Sequence, residues 1–301
     1  MPSEIEAYGD TTLFGIRVLF DANRQDVLDM ALNLFPQDEG GAVIDEAISI
    51  YVVLRTYDVK ASVPERMHLA PKELNIVRDG VFVQADGERG RGACVFPGES
   101  ADSDSVREAI TTVVLFLAAQ ADRVPVHASA IMLGATAIVL AGRSGVGKSV
   151  LTLAANRKGL PVLSDDTVYV QTKPAFRVWA RPRAIHVLEK DAPAGAGEMR
   201  FRSARWKRVV QIAEPRASAP RSALCVLERG TRIALERMAV TDATDALTCA
   251  LEPGFDVYGE QSAAAVRALS AGGCWRFTLA DDPDRAMAVL IENFAEAAAS
   301  A

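Results

Sequence analysis

The stretch Gly142-Arg143-Ser144-Gly145-Val146-Gly147-Lys148-Ser149 fits the pattern G-x-x-x-x-G-K-[ST] at every fixed position. Ahead of it, the apolar run Thr136-Ala137-Ile138-Val139-Leu140-Ala141 reads as a buried strand. Behind it, Val150-Leu151-Thr152-Leu153-Ala154-Ala155-Asn156 reads as a helix. A glycine-rich turn between strand and helix is the setting in which this pattern cradles phosphate. The glycines let backbone N–H groups turn inward around phosphate oxygens, and the helix N-terminus adds its partial positive charge. The reading places residues Gly142 to Val150 around a nucleotide, with Lys148 reaching the outer phosphates and the Ser149 hydroxyl ligating Mg²⁺. The bland alternative is a glycine-rich turn that binds nothing, which would have to meet four fixed positions in the right context by coincidence. The expected ligand is a nucleoside triphosphate, ATP first and GTP as the other option.

Lys158-Gly159 supplies a helix stop, a cation followed by a C-terminal glycine. Leu160-Pro161-Val162-Leu163 then gives a short strand, which Ser164-Asp165-Asp166 closes. Two adjacent carboxylates so soon after the loop lysine suit phosphoryl transfer. One accepts a proton from an attacking hydroxyl while its neighbour helps hold the metal. Adjacent strand residues point to opposite faces, so both serve one site only if the strand ends there. Thr167-Val168-Tyr169-Val170 reads as a strand restarting after a sharp bend. The alternative is a solvated Asp-Asp turn.

In order, His127-Ala128, the strand, the loop GRSGVGKS, a helix ending Arg157-Lys158-Gly159, and Leu163-Ser164-Asp165-Asp166 resemble the core of the bacterial HPr kinase/phosphorylase family. The resemblance covers roughly residues 124–171 and is architectural beyond them. It implies an α/β fold of the type shared with phosphoenolpyruvate carboxykinase, a P-loop kinase core with a mixed sheet packed by helices. It also implies Asp165 as general base, Asp166 as a Mg²⁺-associated carboxylate beside Ser149, and His127 near the base and the γ-phosphate. Taken alone, His127 would read as a core or turn residue at the head of an apolar strand. His68 and His186 lack any such context and keep that reading.

The chain departs from the family after the paired aspartates. Where an E-I-R-G-type motif is expected it reads Arg177-Val178-Trp179-Ala180-Arg181-Pro182-Arg183-Ala184-Ile185-His186, and the C-terminal arginine- and glycine-bearing segment has no counterpart. The departure weakens the expectation of HPr as substrate and leaves the reverse, phosphorylase direction open. It is more similar to the looser group of HPr-kinase-like proteins, some of which phosphorylate serine in peptides, lasso-peptide precursors among them. The expected activity is therefore a Mg-ATP-dependent serine kinase with a peptide or small-protein acceptor. Two other classes stay open: a small-molecule kinase or carboxykinase-like transferase on the same fold, and a nucleotide-sensing regulatory protein. The family's habit of assembling makes a homo-oligomer an expectation by resemblance.

Residues 181–221 carry ten Lys/Arg against four Asp/Glu, in a chain whose formal net charge is −6. The flexible composition of 191–197 predicts a mobile loop that could close over phosphates or attract an acidic peptide. Arg183 and Arg205 are the candidate phosphate or substrate contacts. The alternative is a solvated basic face of a surface hairpin.

The remaining composition bounds the class. At 301 residues, 50% hydrophobic and 24% charged, the chain has the makings of two ordinary globular domains. We expect a smaller α+β domain over 1–122 and the kinase-like domain over 123–301. The acidic balance argues against a nucleic-acid partner. Cys94, Cys225, Cys249 and Cys274 are scattered, without metal-ligand or disulfide-framework spacing. No signal-peptide core is evident, and the longest apolar stretch, 111–121, is too short for a bilayer span. The expectation is a cytoplasmic protein without a membrane partner. In the first domain, alternation predicts a strand over 11–20, and helical periodicity predicts a helix over 24–35. Asp79-Gly80 marks a hairpin turn, and Ser103 or Asp104 caps a helix to Gln120. In the second, strands are expected near 222–228 and 274–279, and Asp282-Pro283 opens a closing helix.

Overall fold

The computed structural model describes residues 6–35, 48–58, 64–181, 184–193, 195, 197–202, 205–248 and 258–299. The chain is a mixed α/β protein and divides into two compact units, Met1–Arg123 and Val124–Ala301.

The first unit opens with a hairpin of β1 (Ala7–Leu13) and β2 (Ile16–Ala22), followed by α1 (Gln25–Leu34) and β3 (Ser49–Tyr57). An antiparallel run of β4 (Arg66–Ala70), β5 (Glu73–Arg78), β6 (Val81–Asp86) and β7 (Arg91–Pro97) leads into α2 (Asp104–Gln120). The seven strands form one sheet in the order β1-β2-β3-β7-β6-β5-β4, parallel only across β2-β3-β7. The single strand expected over 11–20 is two strands, because Phe14 and Gly15 turn the chain at φ 53° and 70°. Asp79 and Gly80 make the equivalent turn between β5 and β6 at φ 51° and 75°. Ser103 caps α2, its hydroxyl accepting from the Val106 N–H at 3.3 Å. The buried stripe Val106, Ile110, Val113, Val114 and Leu117 seats that helix on β6 and β7.

The second unit is built around a six-stranded sheet. Its strands are β8 (Val124–Val126), β9 (Ala128–Leu133), β10 (Thr136–Ala141), β11 (Val162–Ser164), β12 (Val168–Gln171), β13 (Arg177–Ala180), β14 (Ile185–Val187), β15 (Met199–Arg202), β16 (Arg205–Val210), β17 (Ser218–Ala219), β18 (Arg221–Arg229), β19 (Ala234–Arg237) and β20 (Cys274–Leu279). Its helices are α3 (Lys148–Arg157), α4 (Val240–Thr248), α5 (Gly259–Leu269) and α6 (Pro283–Ala299). The main sheet runs β11-β9-β10-β18-β20-β19, with β10, β18 and β20 mutually parallel. All six residues of β10 are buried, as a strand covered on both faces requires. On one face, Ile138 and Leu140 of β10 and Ala223, Cys225 and Leu227 of β18 pack with Leu151 of α3 and Met287 and Leu290 of α6. Asp282 caps α6, accepting from the Arg285 N–H at 2.9 Å.

Two smaller sheets flank the main one: β17-β13-β12-β8 and β14-β16-β15. The basic segment on either side of residues 191–197 is largely strand, a three-stranded antiparallel sheet of β14, β16 and β15 in which β15 and β16 pair as the hairpin alternative had it. Cys94, Cys225 and Cys274 are buried thiols, and Cys249 lies outside the described residues. Among the described residues, no helix is long and apolar enough to cross a membrane.

Candidate active site

Three parallel strands end at one edge of the main sheet, and the site forms there. β10 runs into the glycine loop 142–147, β18 ends at Arg229, and β20 is followed by Ala280 and Asp281 before α6 begins. Outside the carboxyl ends of parallel strands is where open α/β sheets place their ligand crevices. The crevice here is a cavity of about 850 Å³ in the second unit.

The glycine loop lines one wall of this cavity through Ser144, Gly145, Gly147, Lys148, Ser149 and Val150. Gly142, Gly145 and Gly147 take φ of 148°, 80° and 124°, a conformation L side chains rarely adopt. Val146 turns the other way and is buried in the core with Leu151 and Leu279, which anchors the loop. Gly142 sits hard against β18, since a Cβ there would stand 2.9 Å from the Leu227 carbonyl oxygen. Arg143 is exposed and lies outside the cavity lining. The Lys148 side chain is buried inside the turn, its Nζ donating to the carbonyls of Gly142 at 2.7 Å and Arg143 at 3.4 Å.

Another part of the lining comes from two chain segments that leave one sheet for another at the same place. β8 pairs with β12 through Val126 and Val168, while β9 pairs with β11 through Ala130 and Ser164. His127 occupies the first crossing, and Asp165 and Asp166 the second. The bend after Ser164 is tied by that residue's own hydroxyl, which donates to the Thr167 carbonyl at 2.7 Å. The same oxygen accepts from the N–H groups of Asp166 at 3.2 Å and Thr167 at 3.0 Å. Ending the strand this way splits the two carboxylates by environment. Asp165 is buried, whereas the Asp166 side chain is 60% exposed and lies 3.5 Å from Nδ1 of His127.

Asp165 is the most perturbed carboxylate in the cavity. Burial pushes its pKa up to about 6, against downward pulls from the His186 N–H and the neighbouring Ser149 hydroxyl. Asp166 adds a smaller upward push and Lys207 a smaller downward one. The His186 backbone N–H donates to Oδ2 at 2.8 Å, while Oδ1 is shielded from solvent with no hydrogen-bond partner. A buried carboxylate oxygen without a partner is costly to hold, and in a cleft it makes the residue a candidate for function. His186 reaches Asp165 because Ile185 and Val187, on either side of it in β14, pack against Leu153 of α3.

The structure thus brings the loop, Lys148, Ser149, His127, Asp165 and Asp166 to one cavity. Arg205 lines it too, together with Lys207, since alternate residues of β16 share a face. Arg183 lies outside the described residues. Sequence reasoning missed His186, Lys190, Lys207, Arg229 and Asp281, all of which line the same cavity. His186 was passed over as a ring, whereas it acts through its backbone amide, for which no side-chain pattern exists. Arg229 and Asp281 are remote in sequence, and only the parallel pairing of β10, β18 and β20 brings them to the loop.

The lining fits a phosphate-bearing ligand with a hard cation. Gly145 faces open space, with nothing within 4 Å of where a Cβ would stand. Beside the loop lysine the oxygen donors include the Ser149 hydroxyl and the carboxylates of Asp165 and Asp166, and among the described residues no group of three or more His, Cys, Asp or Glu forms a metal cage. That donor set suits Mg²⁺, which binds through one or two carboxylates and completes its shell with phosphate oxygens and water.

No protein-family model and no curated protein matches the chain. Among solved structures it is similar to the HPr(Ser) kinase/phosphatase from Coxiella burnetii, with a TM-score of 0.31 and 9% sequence identity, covering 57% of this chain and 97% of that one. The relationship is distant, and at that distance the likeness assigns no residue a role.

Proposed function

We propose that this protein transfers the γ-phosphoryl group of ATP to a serine hydroxyl of a peptide or small protein, with Val124–Ala301 as a P-loop kinase core. One observation carries the reading: Asp165, a carboxylate that burial holds near pKa 6, shares a cavity with the glycine loop, Lys148 and Ser149. A base with that pKa is mostly ionised at neutral pH yet more basic than an ordinary carboxylate.

In this reading the loop amides and Lys148 hold the β- and γ-phosphates in line with the acceptor. Ser149 and Asp166 would hold Mg²⁺, which when bound neutralises charge on the phosphate oxygens. His127, 3.5 Å from Asp166, orients that carboxylate. The His186 N–H fixes Oδ2 of Asp165 and leaves Oδ1 for the acceptor proton. As the acceptor oxygen bonds to the γ-phosphorus and the bond to the departing ADP breaks, the hydroxyl proton passes to Asp165 and later to solvent. Positioning and preorganised charge supply most of the rate in this chemistry.

A second reading has its own support. A volume of about 850 Å³ lies in the range of small-molecule sites, which favours a metabolite hydroxyl as acceptor. One experiment tests both: transfer of label from γ-labelled ATP with Mg²⁺ to a serine-bearing peptide library and to a small-metabolite panel. Phosphoserine on peptides supports the first reading, and label confined to a metabolite replaces it with the second. Tight ATP binding with no transfer to either panel overturns both in favour of a nucleotide sensor.

A further inference from the structure

Arg229 and Asp281 stand at the ends of the two strands that run parallel to β10, and both line the cavity. Arg229 Nη1 donates to Asp281 Oδ1 at 3.3 Å. The same guanidinium rests on the glycine loop. A Cβ built on Gly147 would lie 3.3 Å from Nη2 and 3.7 Å from Cζ of Arg229.

Gly147 is the residue that precedes the first turn of α3. The helix dipole makes that position favourable for anions and unfavourable for cations. Lys148 already brings one positive charge to the same turn, so a guanidinium laid across it is electrostatically out of place without an anion. Asp281 offsets part of this cost, but its side chain is fully exposed and Arg229 is half exposed, so the pair contributes little by itself. An arginine fork is the side chain best matched to phosphate oxygens. Here one is held over a glycine loop that lines the same cavity, which also contains the partnerless buried oxygen of Asp165.

We infer that Arg229 is a second phosphate-binding residue of this site, and that Asp281 is its resident counterion, exchanged for the nucleotide's outer phosphates when these bind. The inference rests on the nucleotide-binding reading proposed above.

The test is calorimetric titration of the full chain with ATP and with AMP, for wild type, Arg229→Ala, Arg229→Lys and Asp281→Asn. Arg229→Ala should weaken ATP binding roughly 10- to 100-fold, as expected for loss of charge-assisted hydrogen bonds, and leave AMP binding unchanged. Arg229→Lys should recover part of the loss. Asp281→Asn should tighten ATP binding several-fold with no change in the melting temperature of the protein alone, which a merely structural ion pair would not do. Wild-type affinity for ATP in a folded Arg229→Ala, or weaker ATP binding in Asp281→Asn, overturns the assignment while leaving the nucleotide site in place. If the wild type binds no ATP, the nucleotide reading itself falls.

Discussion

The backbone N–H of His186 donates to Oδ2 of Asp165 at 2.8 Å and holds the direction of this buried carboxylate. That amide and the nearby Ser149 hydroxyl do not compensate the loss of water, so burial dominates and the pKa rises to about 6. The folded pKa thus stands above the unfolded value. Where the group is ionised in both states, above about pH 6, it costs stability, and below about pH 4, where it is protonated in both, it costs nothing. Asp165→Asn should therefore stabilise the protein at pH 8 by roughly 1–3 kcal/mol, with the gain gone at pH 4. Urea unfolding at both values checks this. No gain at pH 8 would mean that the carboxylate is satisfied after all.

The same carboxylate sets the acidic limb of the rate. With Asp165 as base, kcat/KM should fall about tenfold per pH unit below pH 6. Lys207 pulls the Asp165 pKa down, so Lys207→Ala should move the limb to higher pH. A limb that stays in place in Lys207→Ala, or moves down, would separate it from Asp165.

Asp166 differs from Asp165 in being exposed, with Nδ1 of His127 3.5 Å from its carboxylate. Its substitution should touch function more than fold. Asp166→Asn should raise the Mg²⁺ concentration for half-maximal activity roughly tenfold, in line with loss of a supporting metal contact, while stability changes by less than about 0.5 kcal/mol. A Mg²⁺ titration and a thermal melt read the two effects independently. An unchanged Mg²⁺ requirement removes Asp166 from the metal site.

Two loop glycines should respond differently to alanine. Gly145, at φ 80°, has nothing within 4 Å of a Cβ, so Gly145→Ala bears backbone strain alone, about 1–2 kcal/mol. Gly147, at φ 124°, would also press its Cβ to 3.2 Å from Leu279 Cδ1 and 3.3 Å from Arg229 Nη2. Gly147→Ala should be the more destabilising and should weaken ATP binding further. Equal costs by denaturant unfolding would contradict the close seat of Arg229 and Leu279 on the loop.

What the sequence made legible follows from how local each signal is. The strand Thr136–Ala141, the glycine loop and the helix after it are contiguous, and a wholly apolar run before a glycine motif has few other readings. The helix begins at Lys148, two residues before the apolar periodicity starts, because the motif's own Lys and Ser form its first turn. Asp79-Gly80 announced its hairpin by composition. Phe14-Gly15 did not, since Phe14 is buried and aromatic, and its positive φ is rare for such a residue. Arg205–Val210 was hidden as a strand because it carries cations on both faces: Arg205 and Lys207 on one, Arg208 on the other. The part of the lining that holds His127, Asp165 and Asp166 depends on two chain segments crossing between sheets side by side. That arrangement is a matter of register, which no window of sequence displays.

The most direct test of the central claim is Asp165→Asn measured twice, for ATP binding and for transfer of labelled γ-phosphate. The proposed chemistry predicts near-wild-type affinity for ATP together with transfer reduced by about 10²-fold or more, as loss of a general base implies. An Asp165→Asn protein that transfers phosphate at the wild-type rate would contradict it.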